Sequence, residues 1–143
     1  MVVKKAVHSA YEIHYHLVMP LKYRKILMGR EVEEYFVWIC KEIEKRYEIE
    51  FERIGADKNH VHVLCSAAPR YAPSEIIRLI KGISAREIFK KFPELRKELW
   101  GGEFWSDGKF VGTVGEGGNK KVIERYIERQ GSSPAEVQLS FWL

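Results

Sequence analysis

The chain is poor in cysteine, holding only Cys40 and Cys65 among 143 residues. Two thiols make neither a disulfide framework nor a zinc cage, so a reducing cytoplasm is the expected setting. No apolar run approaches the ~18 residues of a membrane span. The opening segment Met1–Ala6 is polar and basic without an apolar stretch, so no secretory signal is expected. Internal repeats, low-complexity tracts and Pro/Ser-rich linkers are missing too, and a single domain over 1–143 is the simplest parse. Neither charge sign dominates: 24 basic against 20 acidic residues leave +4, which permits a polyanionic partner without requiring one. What is present, 45% apolar and 31% charged residues, fits a globular protein and excludes a disordered or collagen-like one.

Periodicity supplies the elements. From Tyr11 to Pro20 the chain alternates, with Ile13, Tyr15, Leu17 and Met19 on one side and Glu12, His14, His16 and Val18 on the other. Period two predicts a strand with one apolar face. Val32, Tyr35, Phe36, Ile39, Ile43 and Tyr47 then fall at helical spacing. Glu48–Ile54 alternates again, Gly55–Asn59 reads as a hairpin turn, and His60–Ala67 as the return strand. A second helix is expected from Pro73 to about Phe92, stopped by Pro93. Phe104-Trp105, the turn Ser106-Asp107-Gly108 and Phe110–Val114 read as a short hairpin. The glycine-rich stretch 115–118 precedes a third helix over 119–130 and a tail over 131–143. Strand, helix, strand, strand, helix, strand is the order of an α+β, ferredoxin-like split βαβ sandwich. Its helices cover one sheet face and leave the other open for chemistry.

Two histidine pairs compete on that face. His60-Val61-His62 places both imidazoles on one side of a strand, where neutral ring nitrogens can share a metal ion. His14-Tyr15-His16 has the same spacing, and spacing does not choose between them. On the third helix Tyr126 and Gln130 stand four residues apart and therefore share a face. Val122, Ile123, Tyr126, Ile127 and Gln130 form one arc, opposite Lys121, Glu124, Arg125, Glu128 and Arg129, so Tyr126 and Gln130 are expected to turn towards protein.

The ordered set of segments Tyr15-His16-Leu17-Val18, Lys22-Tyr23-Arg24, His60-Val61-His62-Val63-Leu64, Lys81–Phe89, Leu99–Trp105, Phe110-Val111 with Thr113-Val114-Gly115, and Tyr126–Gln130 resembles the single-tyrosine HUH transposases of the IS200/IS605 insertion-sequence group. The resemblance spans roughly Tyr11 to Gly131. It implies His60 and His62 as metal ligands, Gln130 as a third ligand and Tyr126 as nucleophile, and it makes this terminal helix an additional catalytic one. Asn59 and Lys109 depart from the family pattern, which leads one to expect an aspartate and an aromatic there.

The implied reaction is a transposition step on single-stranded DNA with hairpin ends. Tyr126 attacks a backbone phosphate, giving a 5′-phosphotyrosine and a free 3′-hydroxyl for later strand transfer. The neutral ligand set favours Mg2+ or Mn2+ over zinc, which more often takes cysteines or a third histidine. The resemblance also implies a prokaryotic, cytoplasmic homodimer in which the tyrosine helix of one subunit completes the site of the other, with 115–118 as hinge. Lys22, Tyr23 and Arg24, and Arg78, Lys81 and Arg86 on the second helix, are candidate DNA contacts. Tyr23, Trp100, Phe104 and Trp105 are candidate base-stacking or interface aromatics. Two other readings compete: an HUH replication initiator or relaxase, and a non-enzymatic single-strand nucleic-acid binder on the same fold.

Overall fold

A computed structural model describes residues 3–5, 10–22, 28–57, 59–99, 102–115, 125 and 127. Tyr23, Arg24, Trp100, Tyr126, Gln130, the stretch 116–118 and the tail lie outside the described residues.

Six strands and two helices are present among them: β1 (Lys4–Lys5), β2 (Ala10–Tyr11), β3 (His14–Pro20), α1 (Arg30–Glu44), β4 (Ile49–Asp57), β5 (His60–Ala67), α2 (Pro73–Lys91) and β6 (Phe110–Thr113). A short 3-10 segment, Pro93–Glu98, follows α2. The main sheet runs β4-β5-β3-β6, with every neighbouring pair antiparallel. This is the order of the ferredoxin-like sandwich expected from the sequence. β1 and β2 form a separate two-stranded ribbon.

Alternation divides the sheet. Leu17, Met19, Val61, Val63 and Cys65 face the helices and form one core with Phe36, Ile39, Ile43, Ile76 and Ile80. His14, His16 and Val18 on β3, and His60, His62, Leu64 and Ser66 on β5, occupy the other face. Pro73 opens α2, where its missing N–H costs nothing, and the Glu75 carboxylate accepts from the Ala72 N–H at 3.0 Å. Among the described residues no helix is long and apolar enough to cross a membrane.

Three boundaries differ from the sequence reading. The stretch expected as one strand from Tyr11 is divided, with Ala10–Tyr11 pairing in the ribbon and His14–Pro20 in the main sheet. Gly55, Ala56 and Asp57 belong to β4, opposite His62, Val61 and His60, so the turn begins later than Gly55. Phe104-Trp105 and Phe110–Val114 do not pair with each other. β6 lines β3, while Trp105 bridges Leu21 just beyond it and Ser106 N–H donates to Pro20 O at 2.9 Å. Both segments thus satisfy the same edge, interrupted by a loop at Ser106–Lys109.

Phe104 and Trp105 are core residues. They are 1% and 5% exposed, meet each other edge-to-face, and contact Phe89 and Phe36 respectively. The Trp105 indole N–H donates to Ser84 Oγ at 2.9 Å, which satisfies its one polar atom. Neither ring is available to stack a base or to form a dimer interface.

Candidate active site on the open sheet face

The register turns the two competing histidine pairs into one cluster. Val18 stands opposite His62 and Pro20 opposite His60, which makes His16 a diagonal neighbour of His62. His16 Nε2 lies 3.0 Å from His62 Nδ1, and their rings stack at 5.2 Å between centroids. His60 and His62 meet edge-on at 4.9 Å. All three are buried. Phe110, from β6, packs edge-on against His16 at 5.8 Å. Gly112, opposite His16, leaves room for that ring, since a Cβ there would meet it at 3.2–3.3 Å.

The contact with Asn59 fixes the ring nitrogens of His60. His60 Nδ1 lies 2.8 Å from Asn59 Oδ1, an acceptor, so the His60 proton sits on Nδ1 and Nε2 carries the lone pair. In the tautomer that places the shared proton of the His16–His62 contact on His62 Nδ1, His62 also presents a basic Nε2. Asn59, a departure from the family pattern, thereby orients the ring as a carboxylate would, with less negative charge. His14 belongs elsewhere. Its Nδ1 meets Glu52 Oε1 at 2.5 Å, and it stands opposite Ser66.

Burial favours the neutral forms of His16 and His62. It holds the His16 imidazole down to about 4. The His62 value is lowered by burial first and then by repulsion from His16 and His60. The folded protein therefore binds fewer protons than the unfolded chain between the ordinary value of 6.5 and about 4. Stability from His16 is complete above pH ~6.5 and is lost as pH falls towards ~4, by about 3 kcal/mol. Urea denaturation at stepped pH is expected to show this loss, and His16→Gln to remove much of the slope. A midpoint unchanged between pH ~7 and ~4 would contradict the buried neutral state.

Two imidazole Nε2 atoms of this kind suit a divalent cation. Among the described residues no group of three His, Cys, Asp or Glu could hold a metal ion, so His16 supports the pair and does not extend it. Tyr126 and Gln130 lie outside the described residues, while Arg125 and Ile127 are described and helical. Ile127 is buried against Leu64 and Val114, and Arg125 is exposed, as the helical arc predicts. Leu64 is on the histidine face, so Ile127 packs against that face.

The basic candidates separate. Lys22 Nζ pairs with Glu103 at 3.0 Å. Lys81 donates to Ser106 O at 2.7 Å and Gly108 O at 3.1 Å, and burial lowers its pKa. Arg78 and Arg86 are exposed on α2, across the sheet from the histidines. The sequence reading did not single out Glu52, nor Arg96 beside that helix, and it named Lys109 only as a departure from the family pattern. Charge alone marked them, and charge alone does not locate.

Residues 9–130 match the family model "Transposase IS200 like". The chain is 34% identical over 127 residues to the ISDra2 transposase TnpA of Deinococcus radiodurans, covering 89% of this chain and 90% of that one. It is 26% identical to the transposase for insertion sequence element IS200 of Salmonella typhimurium, covering 89% and 82%. Among solved structures it superposes on a transposase from Deinococcus radiodurans R1 with a TM-score of 0.71 at 32% identity, over 89% and 97% of the two chains. A REP-associated tyrosine transposase bound to a REP hairpin shares the fold, with a TM-score of 0.55 at 12% identity over 87% and 70%.

Proposed function

Because the chain belongs to the IS200-like transposase family, we propose that it cuts and rejoins single-stranded DNA through a phosphotyrosine intermediate on Tyr126. The observation that carries this reading is the oriented pair His60 and His62, whose Nδ1 atoms are engaged by Asn59 and His16. A divalent cation, Mg2+ or Mn2+, held there with Gln130 would withdraw charge from the scissile phosphate.

The residues divide the work. Tyr126 Oη forms the bond to phosphorus while the bond to the 3′-oxygen breaks, and the phenolic proton ends on the released 3′-hydroxyl. The phosphodiester energy is kept in the tyrosine ester, so the reverse attack by a 3′-hydroxyl rejoins DNA without a nucleotide cofactor. No water is activated in this scheme, so no strong general base is needed. His16 and Asn59 keep the histidine lone pairs aimed, and burial keeps water away from the imidazoles. The solved relative that holds a REP hairpin supports a hairpin-bearing DNA partner for this chain. The reading includes a homodimer exchanging tyrosine helices, in which the Ile127 contact with Leu64 forms between copies. Sedimentation showing only active monomers would exclude exchange.

The test is incubation with single-stranded oligonucleotides carrying the ends of the chain's own element and Mg2+, with mass spectrometry of any protein–DNA adduct. A 5′-phosphotyrosine at Tyr126 that EDTA prevents is the expected product. Cleavage insensitive to EDTA would remove the metal from the reading. Asn59→Ala is expected to weaken Mn2+ binding by roughly 10-fold or more, and Asn59→Asp to preserve it; calorimetry measures both.

A further inference from the structure

On the helix side of the sheet, α2 and the segment Gly102–Lys109 enclose a groove of about 600 Å3. Arg78, Lys81, Gly82, Ala85, Arg86 and Phe89 form its α2 wall, spaced so that they share one helical stripe. Small residues at its centre make a trough, and a Cβ built on Gly82 meets nothing within 4 Å. The opposite wall is fixed by three ties: Lys81 to two carbonyls, Trp105 to Ser84, and Lys22 N–H to Phe104 O at 2.8 Å. Arg96 and Lys109 add charge at the rim. Of the two lining acids, Glu103 is already paired with Lys22, leaving Asp107.

We propose that this groove is a second nucleic-acid site, taking the phosphodiester backbone of a single strand away from the point of cleavage. It is preformed, since its wall is held by hydrogen bonds that need no ligand. Exposed Arg78, Arg86, Arg96 and Lys109 give it cations suited to successive phosphates. Its charge lies on the far side of the sheet from His60 and His62, so the strand it holds is not the one being cut at that moment. Lys81 is a positioning residue, building the wall. The proposal rests on the single-strand reading above and extends it to a part of the DNA beyond the reacting phosphate.

Gly82→Glu tests it. The new carboxylate enters open space on an exposed helix position, where leaving glycine behind also favours the helix. The probe is a labelled oligothymidylate of about 30 nucleotides, longer than a single-strand site of roughly 4–16. Anisotropy is expected to show about 10-fold weaker binding and a salt slope shallower by about 1. Mn2+ binding measured by calorimetry stays unchanged, because the histidine face is untouched. Affinity and slope equal to those of the parent protein, or a parent that binds Mn2+ but not the probe, would overturn the proposal. Should Gly82→Glu fail to fold by circular dichroism, Arg78→Ala with Lys109→Ala reads the same slope from two exposed positions. Loss of Mn2+ binding in every protein, with the Gly82→Glu defect intact, would remove the metal reading and leave the groove standing.

Discussion

Tyr126→Phe is expected to bring covalent adduct formation down to background, a loss beyond about 10⁴-fold. The substitution removes one oxygen, the atom that would bond phosphorus, and keeps the aromatic ring. DNA binding should therefore stay within about twofold of the parent, because phosphate contacts and not the nucleophile supply most affinity. Other phenols are poor substitutes. Burial raises the pKa of Tyr11 and of Tyr35, and Tyr15 faces the helices and not the histidines. Labelled single-stranded DNA on a denaturing gel measures the adduct, and an undiminished band from Tyr126→Phe would move the nucleophile elsewhere.

The second large effect is expected from His62→Ala. It removes a lone pair aimed by His16, and it leaves His16 Nε2 facing the vacated space in a buried cluster. Metal-dependent cleavage should fall by about 10³-fold or more, with Mn2+ affinity falling alongside it. Stability should drop too, by about 1–3 kcal/mol, the usual cost of stranding a buried polar group. His14→Ala gives the contrast. His14 is engaged with Glu52 opposite Ser66, so its loss costs that pairing and leaves His60 and His62 in place. Activity should remain within a few-fold. Equal losses at the two positions would mean that His60 and His62 are not the metal-holding pair.

Much of this was readable from the chain, for reasons that differ by element. The strands around Leu17 and Val63 and the helix around Phe36 show themselves because one face of each is apolar at a fixed period. The order of elements then fixes the sheet. The end of β4 was harder, since Gly-Ala-Asp-Lys-Asn is a composition typical of turns, yet glycine sits in the strand opposite bulky His62. Phe104 and Trp105 look like exposed aromatics beside glycines. Their burial depends on Phe36 and Phe89, which are distant in sequence.

The site shows the same division. Spacing reveals that His60 and His62 share a face and that His14 and His16 do too. It says nothing of which residue on β3 stands beside which on β5. That offset makes His16 the partner of His62 and sends His14 to Glu52. Arg78, Lys81 and Arg86 read alike as basic residues on one helix. Only the loop carbonyls of Ser106 and Gly108 distinguish Lys81, whose charge is spent on architecture.

The pairing of β4 with β5 slips between Phe51 and Arg53, so Glu52 is an extra residue on that strand. Before the slip Phe51 faces the helices. After it Ile54 and Ala56 do, while Gly55 and Asp57 stand beside the histidines. Run the same residues as a regular ladder, without the slip, and the parity of the distal half inverts: Ile54 and Ala56 would crowd the imidazoles, and Arg53 and Asp57 would enter the oil. The makeup of the histidine face is thus governed by where the ladder slips as much as by residue identity. Deletion of Glu52 should therefore leave the distal faces as they are and cost only its pairing with His14.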